Sequence, residues 1–443
     1  MNRIARLATI SLLLLAVLPA NAAESALQKV GARAADLYRQ GKYAEAVSAG
    51  QEALKIAEKT FGPSHREVAT ALSNLAEYLR SQGNYPEAES LLKRALAIDR
   101  KVSGEEHPDV AIDLNNLGLL YDSLGRHAEA EPLYNQAIQI DQKSLGPDNP
   151  TVATDLNNLA EAYRAEGKLA PADAFYRRAL RILENQPVPD NRALATVLNN
   201  LGALSIAQGK DAAAEESLAR ALEFWRKTVR ADHPDIAATL RLLGSVQLSL
   251  REYPQAETSL TEVVAIDDKN RDKDGRQLSQ DLSDLGMALV ALRKYGAAEA
   301  PFKRALALDE QTYGKEHLLV ASSLGDLAEV YRGEGKYKLA EPLYKRALAI
   351  DEKILGPQHP DVASDLNSLG ALYFLEGRPG EAESILKRAL AIKSAALGAD
   401  SPELLRILDN YAIVLRALKR DGEASSIEAR AREIRAKLPP SPS

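Results

Sequence analysis

The stretch LNNLG at residues 114–118 returns as LNNLA at 156–160 and as LNNLG at 198–202, with near-copies LSNLA at 72–76 and LNSLG at 366–370. The copies fall on a period of 42 residues with no insertion or deletion. Gly62, Gly104, Gly146, Gly314, Gly356 and Gly398 mark one phase of that period, and Val188, Arg230 and Asp272 take the same phase between them. Nine repeats therefore occupy 62–439, preceded at 23–61 by a partial repeat with Gly41, Ala46 and Ala53 at matching phases. A fixed period in this range predicts a solenoid, because no single repeat can bury its apolar face alone.

Each repeat reads as two helices. In the second, GEEHPDVA opens at Gly104, and Pro108 sits in a first turn where its missing N–H has no helical partner. Asp109 suits the positive helix N-terminus. The spacing predicts a first helix ending near Leu124 at Gly125, and a second from about Ala128 to Ser144, ending at Gly146. Val110, Ala111, Leu114, Leu117, Gly118 and Tyr121 line one helical face, and Ala130, Leu133, Tyr134, Ala137 and Ile138 line another. Leu fills the Leu114 column in all nine repeats, the Gly118 column holds Gly or Ala, and the Ala130 column holds only Ala. Small residues there let two helices approach closely.

Composition agrees with an all-α chain: 443 residues, 45% apolar, 5% aromatic and net charge −6. No concentrated basic face points to nucleic acid. The chain has no cysteine, which excludes disulfides, thiolate chemistry and Cys-based metal sites. Arg3 and Arg6, the apolar run at 7–18, Pro19 and the small-residue segment at 20–22 have the layout of a secretory signal peptide. Cleavage is expected after Ala22, giving a periplasmic or secreted protein with no membrane span after processing. Residues 440–443 read as a disordered tail.

The succession Leu114, Leu117-Gly118, Tyr121, Ala130, Tyr134, Ala137 resembles the tetratricopeptide repeat. The 42-residue length, with HPDVA and LNNLG, is similar to the kinesin light chain type of that repeat. The resemblance implies a right-handed superhelical solenoid of antiparallel helix pairs, with the first helix of each pair on the concave side. It also implies that the groove asparagines bind extended peptide segments of partner proteins. The residues that match are Asn74, Asn115, Asn116, Asn157, Asn158, Asn199, Asn200 and Asn367.

The residues themselves leave two readings of these amides open. They fall off the apolar face of their own helix, and an amide both donates and accepts, so a column of them can pair with a peptide backbone. An amide beside a packed interface can equally bond the next repeat. Glu77/Arg80, Glu161/Arg164 and Glu329/Arg332 are i, i+3 pairs that read as local salt bridges. Arg80, Arg164 and Arg332 could in addition receive a partner's carboxylates.

Residues 188–313 diverge. Arg251 and Arg293 replace the Gly125-column glycine, and the paired asparagines become Arg241-Leu242 and Ser283-Asp284. The segment DDKNRDKDGR at 267–276 is unlike any other inter-repeat turn, and the unbroken period favours one array with a locally different surface. Trp225 reads as packing. His65, His107, His233, His317 and His359 share one phase just before a first helix. Helices stacked roughly 10 Å apart cannot share an ion whose bonds are about 2 Å, so a capping role is expected and no metal or cofactor. No nucleophile with a base, phosphate loop or dinucleotide fingerprint appears, so the chain is read as a non-enzyme. The leading function is an exported scaffold that binds proteins in its groove. The alternative is a structural subunit of a cell-envelope assembly that uses edges and convex faces.

Overall fold

His107 and Pro108 open a helix as the sequence dictates. The Nδ1 of His107 accepts the backbone N–H of Asp109 at 3.2 Å, satisfying one of the first-turn donors that a helix leaves open. His65, His233, His317 and His359 make the same bond to the residue two further on. Asn149 and Asp190 supply it with side-chain oxygens. Most first helices turn into the second through a left-handed residue such as Gly125 (φ 72°). Arg251 and Arg293 hold that conformation at φ 62° and 58°, so the turn survives without glycine.

The computed structural model describes residues 22–270 and 275–438. The apolar run at 7–18, the charged residues 271–274 and the tail at 440–443 lie outside the described residues. Among the described residues there are twenty α-helices, one 3-10 turn (Pro402–Leu404) and no strand. They fall into two compact halves divided after Arg230.

In the first half the pairs are α1 (Ala22–Arg39) with α2 (Tyr43–Phe61), α3 (Arg66–Gln82) with α4 (Tyr85–Ser103), α5 (Pro108–Ser123) with α6 (His127–Ser144), α7 (Pro150–Ala165) with α8 (Leu169–Glu184), and α9 (Asn191–Ala207) with α10 (Asp211–Thr228). In the second they are α11 (Pro234–Ser249) with α12 (Tyr253–Asn270), α13 (Arg276–Ala291) with α14 (Tyr295–Tyr313), α15 (Leu318–Gly333) with α16 (Tyr337–Leu355), α17 (Pro360–Leu375) with α18 (Pro379–Leu397), and α19 (Leu405–Ala417) with α20 (Asp421–Ala436). The N-terminal stretch expected as a partial repeat is thus a helix pair, with Ala34, Ala46 and Ala53 in the core.

The small-residue columns explain how the helices of a pair come together. Ala88, Ala130, Ala172, Ala214, Ala256, Ala298, Ala340, Ala382 and Ala424 are all fully buried. A Cβ on Gly286 would lie 2.5 Å from the ring of Phe302, and one on Gly202 would lie 2.6 Å from Leu218. Gly286→Ala is therefore expected to cost about 1–3 kcal/mol, as overpacking does. Chemical denaturation of the full chain measures it, and an unchanged midpoint would show that the ring simply moves aside. Trp225 is buried, in keeping with packing.

A recurrent polar brace spans four of the junctions between successive pairs. The hydroxyl of Tyr121 donates to Glu89 at 3.0 Å while Arg126 lies 4.1 Å from the ring centroid. Tyr373 repeats the arrangement with Glu341 and Arg378. Tyr163 with Glu131 and Lys168, and Tyr331 with Glu299 and Lys336, do so with lysine.

Candidate interaction face

Consecutive first helices touch one another directly: α3 with α5, α5 with α7 and α7 with α9 in the first half, α11 with α13, α13 with α15 and α17 with α19 in the second. Consecutive second helices do not come as close. Within each half the first helices thus form the inner side of the stack, and the asparagine pairs lie along it.

The amides are spent mainly on each other. Asn158 Nδ2 donates to Asn115 Oδ1 at 2.9 Å, and Asn200 Nδ2 donates to Asn157 Oδ1 at 2.9 Å. The second asparagine of one repeat thus reaches back to the first asparagine of the repeat before it. Asn157, Asn158, Asn199, Asn200 and Asn367 are between 1% and 7% exposed. This corrects the expectation that they line an open groove: packing of first helix on first helix covers them. Asn115 and Asn116 are half-buried, and Asn74, on the first of these helices, is exposed. Sequence reasoning missed Asn410, which donates to Asn367 at 2.9 Å. Its motif, LDNYA at 408–412, keeps the second asparagine but loses both the first and the flanking leucine.

The glutamate–arginine pairs form as the spacing requires. Arg80 reaches Glu77 through Nε at 2.9 Å and a terminal nitrogen at 2.7 Å. Arg164 grips Glu161 and Arg332 grips Glu329 in the same two-pronged way. A tyrosine completes each group: half-buried Tyr38 donates to Glu77 at 2.6 Å, buried Tyr176 to Glu161 at 2.6 Å and buried Tyr344 to Glu329 at 3.0 Å. Burial, then the adjacent glutamate, raises these phenols, which keeps them donors. The three arginines remain 24%, 32% and 31% exposed, held in a fixed direction beside the asparagine positions.

Two repeats of the second half carry an acid where the first half carries amides. Asp284 and Asp326 take the place of the second asparagine. Burial, then Glu329 and Asp284, push Asp326 up to about 6. Arg241, at a first-asparagine position, binds Asp281 at 2.7 Å and Asp267 at 2.8 Å. Among the described residues no group of three or more His, Cys, Asp or Glu is placed to hold a metal ion. No helix among them is long and apolar enough to cross a membrane.

The family model for the tetratricopeptide repeat matches at residues 25–101, 67–143, 123–185, 193–269, 279–353, 327–395 and 361–437. No curated protein matches the chain in sequence. Among solved structures, the kinesin light chain TPR-like repeats of Podosopora anserina align at 25% identity, over 47% of this chain and 99% of that one, with a TM-score of 0.40. The apo form of RapI aligns over 84% of this chain and 98% of that one at 14% identity, with a TM-score of 0.57. A signal transduction ATPase with numerous domains and a tetratricopeptide repeat sensor, from Pyrococcus horikoshii, aligns over 80% of this chain and 52% of that one at 16% identity, with a TM-score of 0.55. The last two share the fold. Helix pairs on a 42-residue period, with small residues at every close approach and a family match along most of the sequence, make this chain a member of the tetratricopeptide repeat family.

Proposed function

We propose that the protein is an exported scaffold that holds extended, carboxylate-bearing segments of other proteins along its first-helix side. Tetratricopeptide repeats generally mediate protein–protein interaction, and the specific reading rests on one observation. Arg80 and Arg164 are locked by Glu77 and Glu161, Arg80 also by the Ser123 hydroxyl, yet keep 24% and 32% of their side chains exposed. A guanidinium fixed in advance loses little freedom when it receives a carboxylate. The two arginines stand two repeats apart. At 8–10 Å between neighbouring first helices this is roughly 20 Å, the span of about six residues of extended chain. Asn74, Asn115 and Asn116 keep enough exposure to meet the backbone of such a segment. The basic n-region and apolar run before Ala22 support export. A mature product in which residues 1–22 are retained would end that part of the reading.

Fluorescence anisotropy with labelled peptides tests the binding. Peptides with acidic residues six positions apart are expected to bind the full chain, and their lysine counterparts are not. The double variant Arg80→Ala, Arg164→Ala is expected to weaken binding at least tenfold while the circular dichroism spectrum is kept. Equal binding of acidic and basic peptides, or no loss in the double variant, would overturn the proposal.

A further inference from the structure

The junction between the second helix of one pair and the first helix of the next is closed in several ways. Between α2 and α3 it holds Ala57 and Ala71, and between α8 and α9 it holds Leu183 and Val197, all buried. Between α12 and α13, Asp267 and Asp281 meet there with Arg241 bonded to both. Between α14 and α15, Asp309 accepts the hydroxyls of Ser279 and Ser323. At three further junctions two carboxyl groups stand against one another: Asp99 with Asp113, Asp141 with Asp155, and Asp351 with Asp365.

At Asp99/Asp113 and Asp351/Asp365 each carboxyl has one buried oxygen that receives no donor. Two carboxylates cannot satisfy each other, since both only accept; one proton between them satisfies both. The surrounding groups do not substitute for that proton. Asp99 faces Asp109, Arg66 and His107, and Arg66 is engaged with Asp109 at 2.7 Å. Asp113 faces Asp99, Asp109 and the Ser73 hydroxyl, which donates at 2.7 Å. Asp351 faces Asp361 and His359, and Asp365 faces Asp361 and Glu352. His107 and His359 are committed to their helix caps.

We infer that the pairs Asp99/Asp113 and Asp351/Asp365 each hold one shared proton at the seam between successive helix pairs, and that the seam loosens when the proton is lost. Repeat stacking is then set by the acidity of the medium. The apolar seams show that packing does not require carboxyls, and Arg241 shows a fixed cation doing at one seam what a proton does at the others. Burial raises Asp99 and Asp351, and raises Asp113 and Asp365 to about 8 and Asp141 to about 6. An unfolded aspartate titrates near about 4. Between that value and the folded one, the folded chain binds more protons than the unfolded chain, so stability falls as pH rises. The contribution is complete below about pH 4 and is lost as pH rises through 6 to 8.

The test uses the full chain. Hydrogen exchange, corrected for the intrinsic rate, is expected to show amides of α4–α5 and α16–α17 opening about fiftyfold more at pH 8 than at pH 6, the slope that one extra bound proton gives over two pH units ending at the folded value. Amides of the α2–α3 and α8–α9 seams are expected to stay unchanged. In Asp113→Asn, Asp365→Asn each new amide can donate to the remaining carboxylate, and the difference between the two pH values is expected to vanish at those seams. A wild-type profile no steeper at the carboxyl seams than at the apolar ones would overturn the inference, as would a double variant that keeps the wild-type slope. Should the variant fold poorly, carbon NMR of the aspartate carboxyls in the wild type decides alone. Resonances assigned to Asp113 and Asp365 that titrate above pH 6 support the pairs; titration of both at or below pH 6 refutes them.

Discussion

Arg241→Leu is expected to lower stability in the half from Ala231 onward by about 3–5 kcal/mol at pH 7, the cost of breaking a buried ion pair from one side. Asp281 is fully buried and Asp267 nearly so, and Arg241 meets Asp281 through two nitrogens at 2.7–3.0 Å and Asp267 at 2.8 Å. Leucine fills similar volume but leaves two carboxylates at one seam. Burial already raises Asp267 to about 6, so it takes up a proton readily and the cost is expected to shrink towards pH 5. Hydrogen exchange across α11, α12 and α13 at both pH values reads the loss where it occurs, since an array need not unfold as one unit. A loss under about 1 kcal/mol, the range of exposed pairs, would mean that the three side chains are solvated in practice.

The same triad shows why some of this chain was readable in advance and some was not. Helix identity, the pairing of helices and the need for Gly or Ala at close approaches each depend on one helix and its immediate partner, and the columns at Leu114, Gly118 and Ala130 display them. The histidine caps were legible for the same reason: the cap bond spans two residues. The asparagines were not, because a first helix in this array has two packed faces. Its apolar face meets the second helices, and a periodicity argument detects it. Its other face meets the neighbouring first helices, which is why Asn157 and Asn158 are covered although they lie off the apolar stripe. The partners also sit 43 residues apart, one more than the period, so matching phases in a column do not reveal who bonds whom. The aspartate seams were missed because Asp99 and Asp113 look like ordinary members of solvated helices until burial is known.

The amide ladder yields the second large effect. Asn158→Ala, Asn200→Ala removes the donors to Asn115 and Asn157 and leaves carbonyl oxygens unpaired between helices. The orphaned acceptor on buried Asn157 costs about 1–3 kcal/mol and that on half-buried Asn115 less, so the pair is expected to cost roughly 1–4 kcal/mol. Strict additivity is not expected, because Asn157 also donates to Asn158 at 3.4 Å and so links the two contacts. Urea denaturation measures the loss, and acidic-peptide binding at a temperature where the variant is folded separates the two readings of the asparagines. If they act through packing, peptide affinity holds while the denaturation midpoint falls. If the midpoint stays and affinity collapses, these buried amides reach the ligand after all, and the first helices must part to admit it.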